Sequence, residues 1–224
     1  MDGNGRWAEQ HHLPRILGHK NAIKAVQQCV EGCREMGIEA LTLYAFSTEN
    51  WQRPPAEVSA LMKLFEEYLQ RELETLVKNG IRLRILGRKE RLPGFVLGPL
   101  ERALATTQGN QGMDLCLAVD YGSRDEILRA TKGLAERVRR GDLTPEEIGE
   151  AQFGEALDTH GLPELDLVIR TSGEQRLSNF LLWQAAYAEF YFTPVLWPDF
   201  TKQELVKAIT VYSERVRRMG KVHG

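Results

Sequence analysis

LVIRTSGEQRLSNFLLWQAAYAEFYF, residues 167–192, is the stretch around which the architecture is organised. Leu165, Leu167, Val168 and Ile169 make an apolar run short enough for a buried strand of a parallel sheet. Arg170 stands where that strand runs out. A turn of Thr171, Ser172, Gly173, Glu174 and Gln175 follows, then Arg176. Ser178 reads as the N-cap of a helix over Asn179–Ala186. A strand end, two guanidiniums and a helix N-terminus then share one small volume, which favours phosphate or carboxylate oxygens. Glu189 adds a lone carboxylate in an otherwise aromatic stretch of Phe190, Tyr191 and Phe192. The combination points to a diphosphate and a divalent cation. The structural alternative is that Arg170 and Arg176 pair with Glu174 or Glu189.

Outward from this stretch, strands and helices alternate. Glu39–Phe46, Ile81–Leu86 and Met113–Tyr121 read as strands. A helix with Ile23, Val26 and Val30 on one face stops near Gly37, a good residue to follow a helix C-terminus. Pro55 suits a first helical position, and Val58, Leu61, Met62, Phe65, Leu69, Leu73 and Leu76 mark a long amphipathic helix ending near Gly80. That stripe is core packing or one wall of a greasy tunnel. Helices are expected over Leu97–Thr106 and Glu126–Arg140. Thr144 and Glu147 make a capping box around Pro145, and Thr201 and Glu204 cap a last helix facing inward through Leu205, Ile209, Tyr212 and Val216. A basic tail of Arg215, Arg217, Arg218 and Lys221 closes it. Alternation of this kind implies a single α/β domain over 1–224, a mostly parallel central sheet flanked by helices.

Composition narrows the function classes. The chain has 224 residues and a formal charge of −2, so a general electrostatic hold on nucleic acid is not expected and positive charge must be local. Cys29, Cys33 and Cys116 are odd in number and lack a C-x-x-C pair, which suits a reducing cytoplasm and small fillers rather than disulfides or a metal. No stretch approaches the ~20 apolar residues of a membrane span, so a soluble protein is expected.

The second focus is MDGNGRW, residues 1–7. Glycines on either side of Asn4 allow a tight turn with exposed N–H groups, either a phosphate cradle or a hairpin-type turn. Asp2 could hold a metal and Arg6 an anion. The run is not a G-x-G-x-x-G fingerprint, so dinucleotide binding fails on context. His11 and His12 read as surface, and His19 as a proton-transfer group, a phosphate partner or a helix-end residue. Ser47–Arg53 forms a third polar loop at a strand's carboxyl end, where ligand sites in such sheets gather. In a parallel sheet Asp2–Arg6, Ser47–Arg53 and Arg170–Ser178 would point the same way.

DGNGRWA (Asp2–Ala8), GHK (Gly18–Lys20), LTLYAFSTENWQRP (Leu41–Pro54), the Asp166–Gln184 run and AYAEFYFTPVLWPDF (Ala186–Phe200) resemble the cis-prenyltransferases, above all the bacterial undecaprenyl diphosphate synthases. The resemblance implies successive cis condensation of isopentenyl diphosphate onto farnesyl diphosphate, Mg²⁺, a homodimer and a hydrophobic tunnel. It implies a cytoplasmic enzyme, peripheral at the inner face of the membrane, that delivers a lipid carrier for cell-wall glycan synthesis. By the same resemblance, catalysis would rest on Asp2, Asn50 and His19. The allylic diphosphate site would take Gly3, Asn4, Gly5, Arg6, Trp7, Arg15, His19, Ser47, Asn50, Trp51 and Arg53. Arg170, Arg176 and Ser178 would hold isopentenyl diphosphate, Asp2 and Glu189 the metal, and Arg218-Met219-Gly220 would reach across the dimer. No D-D-x-x-D pair occurs, which argues against all-trans synthases.

Departures from the family pattern are specific. Ala22 stands where a glycine is usual, and Asp120 and Ser123 replace the commoner residues of an N-Y-G-G-R-like run. The family's apolar strand before the DGN turn is not seen here. The expectation is an internal methionine at Met1 or a sheet short of one member, with reduced or absent turnover. A synthase of different product length, or a non-catalytic partner subunit of the same fold, are the alternatives. Retention of Asp2, Arg170, Arg176, Ser178 and Glu189 speaks against the subunit.

Overall fold

A computed structural model describes residues 1–215. Every strand pairing in it is parallel, as the alternation of elements requires. The chain divides into two compact units, one of residues 1–38, 164–176 and 184–215, the other of 39–163 and 177–183.

The second unit holds β1 (Ala40–Ser47), β2 (Arg82–Leu86) and β3 (Asp114–Tyr121) in the order β1-β3-β2. All eight residues of β3 are buried, so a near-continuous apolar run marks the middle strand. Leu117 pairs with Leu43 on one side and Ile85 on the other. α3 (Pro55–Lys78) begins with Pro55 at its first turn and buries Met62, Tyr68, Leu69 and Leu76. α4 (Gly94–Thr107) packs on α3 and β2. α5 (Ser123–Arg140) follows β3 directly, and Gly141 at φ 79° ends it in the left-handed conformation. The capping box at Thr144 forms, but around a single 3₁₀ turn, Pro145–Glu147, before α6 (Glu150–Glu155).

The first unit holds a two-stranded ladder, β4 (Leu167–Arg170) with β5 (Glu189–Phe192), and the helices α1 (Asn4–Gln10), α2 (Arg15–Glu35) and α7 (Lys202–Ser213). α2 buries a stripe of small residues, Gly18, Ala22, Ala25, Cys29 and Cys33, more deeply than Ile23 and Val26. Small residues let neighbours approach: a Cβ on Gly18 would lie 2.0 Å from the Asn4 carbonyl oxygen of α1. Burial pushes the Cys29 and Cys33 thiols up to about 12, so they act as core fillers rather than nucleophiles. Thr201 caps α7, accepting from the Glu204 N–H, and Leu205 and Ala208 face inward. Val216, Arg217, Arg218, Met219, Gly220 and Lys221 lie outside the described residues.

The expected helix over Asn179–Ala186 does not form. Ser178, Asn179 and Leu181 take φ of 49°, 62° and 47°, which no right-handed helix accepts. Non-local hydrogen bonds hold them there. Asn179 Oδ1 accepts from the Arg124 N–H at 2.8 Å, its carbonyl accepts from the Ser123 N–H at 2.8 Å, and the Leu182 N–H reaches Ser123 Oγ at 2.9 Å. Asn179 therefore caps α5 rather than sitting inside a helix of its own. Ser123 supplies a side-chain acceptor that glycine lacks.

Candidate active site

In the first unit the chain before α1 lies against the end of β4. Thr171 fixes Asp2 twice: its Oγ1 accepts from the Asp2 N–H at 3.0 Å and its hydroxyl donates to the Asp2 carbonyl at 2.9 Å. The Trp197 N–H donates to the same carbonyl at 3.0 Å. Gly3, at φ 104°, makes the turn into α1, and its N–H donates to Asp2 Oδ1 at 2.8 Å. The Asp2 carboxylate is thus aimed by main chain on both sides.

Around it runs an alternating chain of charges. Arg170 Nη2 donates to Asp2 Oδ2 at 3.1 Å, and Arg6 Nη2 lies 3.7 Å from Asp2 Oδ1. Arg6 also donates to the Ser172 carbonyl at 3.1 Å and to Glu174 Oε1 at 3.0 Å, and Arg176 pairs with Glu174 from the other side. Arg170 Nη1 further donates to the Arg176 carbonyl. Arg170 is 16% exposed and Arg176 62%, so the first is built into the turn and the second faces solvent. Burial pushes the Asp2 carboxyl up, but hydrogen bonds from Arg170 and the Gly3 N–H outweigh it and hold it below the ordinary aspartate range.

The turn itself is wound tightly. Ser172 and Gly173 take φ of 76° and 72°, with their N–H groups bonded to the Val195 and Thr193 carbonyls at 2.8 Å each. Ser172 Oγ, buried and directed at Gly3, has no hydrogen-bond partner among the described residues, and neither has Asn4 Oδ1. Asn4 Nδ2 lies 3.4 Å from His19 Nδ1. The Arg15 guanidinium covers Gly5, where a Cβ would come within 2.8 Å of Nη2. Trp7 donates its indole N–H to Asp199 at 2.8 Å and stacks on His11. Orphaned polar atoms beside a guanidinium cluster suit a polyanion that brings both acceptors and waters. Thr171 and Ser172 were readable only as turn formers, and nothing in their spacing marks the partnership with Asp2.

Glu189 is placed differently. It pairs with Leu167 at the start of the β4–β5 ladder, whereas Arg170 pairs with Phe192 at its end. Three strand positions, roughly 10 Å, separate those rungs. Glu189 Oε2 accepts instead from Arg215 Nη1 at 2.7 Å, and Arg215 also donates to the Phe190 carbonyl at 2.9 Å. Among the described residues no group of three His, Cys, Asp or Glu is arranged to hold a metal. Asp2 alone fits Mg²⁺, which is characteristically held by one or two carboxylates together with phosphate oxygens and water.

The second unit carries the other named residues in the turn after β1. Ser47 and Asn50 form a capping box for the 3₁₀ segment Thr48–Gln52, with Asn50 Oδ1 accepting from the Ser47 N–H at 3.1 Å. Trp51 donates its indole N–H to Asp120 Oδ1 at 2.7 Å. Arg53 pairs with Glu57 at 3.0 Å. Asn179, next to exposed Ser178, donates to Glu49 in that turn at 2.9 Å. Trp51, Arg53, Val58, Met62, Pro93 and Phe95 border a largely apolar cavity of about 320 Å³.

A family described as putative undecaprenyl diphosphate synthase matches residues 1–220. An isoprenyl transferase of Bacillus subtilis is 50% identical over 98% of this chain and 85% of its own length. One from Agrobacterium fabrum is 49% identical over 98% and 89%. The crystal structure of a lavandulyl diphosphate synthase from Lavandula x intermedia with dimethylallyl diphosphate superposes with a TM-score of 0.95 at 36% identity, over 99% of this chain and 95% of that one. A probable undecaprenyl diphosphate synthase from Campylobacter jejuni gives 0.78 at 38% identity, over 90% and 93%.

Proposed function

Because the chain belongs to the undecaprenyl diphosphate synthase family, enzymes that transfer prenyl groups, we propose that it makes undecaprenyl diphosphate. The reaction is successive cis condensation of isopentenyl diphosphate onto farnesyl diphosphate. The observation that carries the reading is the Asp2 carboxylate, kept ionised among Arg170, Arg6 and the Gly3 N–H. Two diphosphates cannot lie side by side without fixed positive charge between and around them.

In this reading Arg6, Arg15 and the main chain at Gly3 and Gly5 take the allylic diphosphate. Arg170 and Arg176, with Ser178, take that of isopentenyl diphosphate. Arg6 and Arg176 release Glu174 to do so, since the incoming phosphate oxygens replace the carboxylate on the same forks. Asp2 holds Mg²⁺, which when bound offsets charge gathering on the departing diphosphate oxygens. His19 is the candidate to accept the proton released when the new double bond forms, with the Asn4 amide 3.4 Å from its ring nitrogen. The family resemblance further assigns Ser47, Asn50, Trp51 and Arg53 to the allylic substrate and apolar side chains such as those of α3 to the growing chain. A homodimer, a cytoplasmic location and delivery of the product to the membrane for cell-wall glycan synthesis belong to the same proposal. No helix among the described residues is long and apolar enough to cross a membrane.

Asp2→Ala tests this directly. Turnover with Mg²⁺ should fall to background while an allylic diphosphate still binds in part. Full turnover by that variant would remove Asp2 from its role. A second reading, a product of different length, is favoured by the TM-score of 0.95 to a lavandulyl diphosphate synthase, and product sizing separates the two.

A further inference from the structure

We propose that Asp120 and Arg91 are positioning residues that fix Trp51 as a wall of the 320 Å³ cavity and thereby set how well an allylic prenyl chain is accepted. The inference deepens the reading above and rests on it for the nature of the ligand.

Trp51 is held on three sides within the second unit. Its indole N–H donates to Asp120 Oδ1 at 2.7 Å, its ring meets Phe46 edge-on at 4.9 Å, and Arg91 Cζ stands 6.0 Å from the ring centroid. Arg91 Nε is also 3.2 Å from Asp120 Oδ2. One carboxylate therefore ties an indole and a guanidinium together, and the guanidinium returns to the same indole.

The backbone places this hub deliberately. Asp120, the last residue but one of β3, takes φ 47°, a conformation that aspartate tolerates better than most residues. Gly87 packs its bare Cα on the strand end, where a Cβ would lie 2.2 Å from the Val119 carbonyl oxygen. The Arg88 N–H then donates to the Asp120 carbonyl at 3.3 Å, which holds the segment bearing Arg91 in place.

Both segments tied by Asp120 line the cavity. Trp51 and Arg53 come from the turn after β1, and Pro93 and Phe95 lie two and four residues after Arg91. Loosening the hub lets those walls move apart. The remaining lining is Pro55, Val58, Ser59 and Met62 from the start of α3, apolar but for the Ser59 hydroxyl, so an apolar chain fits, and the Arg53 guanidinium, paired with Glu57, borders the same cavity.

A fully buried carboxylate is an expensive packing element. Burial pushes the Asp120 carboxyl up, against the Trp51 hydrogen bond and the charges of Arg91 and Arg88. Its Oδ2 makes no aligned hydrogen bond among the described residues despite the Arg91 ion pair. Packing alone is served better by an apolar residue. A clamp needs the charge.

The test uses Arg91→Met and Asp120→Asn, each alone and combined with Trp51→Phe. Arg91 is half exposed, so its replacement leaves the core intact, and asparagine keeps an acceptor for the indole. Acrylamide quenching of Trp51, taken as the difference between chains with and without it, should rise in both single variants. KM for farnesyl diphosphate should rise by about 2–5-fold, the range expected for losing one cation–π contact, with KM for isopentenyl diphosphate unchanged. In the Trp51→Phe chain neither variant should raise it further. Unchanged quenching, or an equal KM effect without Trp51, would overturn the clamp. Absence of any prenyl transfer by the unaltered chain would instead defeat the functional reading, and the quenching arm would still decide whether Asp120 and Arg91 hold Trp51.

Discussion

Arg170 Nη2 donates to Asp2 Oδ2 at 3.1 Å, joining residues 168 positions apart at the point where β4 ends and α1 is about to begin. Neither residue is placed by its own side chain alone. Thr171 holds the Asp2 main chain, and the β4–β5 ladder holds Arg170. The contact is therefore available before any substrate arrives, which is what electrostatic preorganisation requires.

Arg170→Lys keeps the charge and loses the fork. Loss of a hydrogen bond to a charged group predicts a fall in kcat/KM of about ten- to a hundredfold. Arg176→Ala, at an exposed position, should mainly raise KM for isopentenyl diphosphate. Steady-state kinetics with each substrate varied in turn checks both.

Gly18→Ala drives a methyl into the Asn4 carbonyl, so α1 and α2 must separate. Overpacking of this kind costs about 1–3 kcal/mol. Thermal unfolding should show a Tm lower by several degrees, and activity should fall with it because Asn4 and Arg6 ride on α1.

Glu189 and Arg215 form one unit at the far end of the β4–β5 ladder from Arg170. Glu189→Gln and Arg215→Ala should lower turnover to similar extents without adding in the double variant, and leave the Mg²⁺ concentration for half-maximal rate unchanged. A shift in that concentration for Glu189→Gln alone would return the residue to the metal.

Acid should unfold the second unit through its paired carboxylates. The Arg88 guanidinium at 2.6 Å from Asp125, and Arg82 at 2.5 Å from Asp114, hold both carboxyls below the usual range. A depressed folded pKa contributes stability above the unfolded value and loses it as pH falls through the folded one. Urea midpoints should therefore hold steady down to about pH 4 and then drop. Asp125→Asn should remove part of that dependence and cost about 1 kcal/mol at neutral pH, because the pair is partly screened by solvent.

Local pattern made much of this legible. Alternating strands and helices, the buried run of β3, Pro55 at a helix start and the Thr201 cap all follow from short-range rules, and all stand in the structure. Residues 177–183 do not, because Asn179 answers to Ser123 and Arg124 more than fifty residues earlier rather than to its neighbours. Asp120 was visible only as a departure in a motif, and its hold on Trp51 depends on where Gly87 lets the chain pass. In the candidate site the guanidiniums of Arg170 and Arg6 were foreseeable from charge and turn position. Glu174, set between Arg6 and Arg176, was readable as an ion-pair partner but not as a link between two separate stretches.

The most direct test incubates the whole chain with Mg²⁺, farnesyl diphosphate and labelled isopentenyl diphosphate, then sizes the products and determines the geometry of the new double bonds. A long polyprenyl diphosphate with every added unit cis, and none formed in EDTA, is the predicted result. A product set of trans-added units, or condensation undiminished by EDTA, would contradict the account.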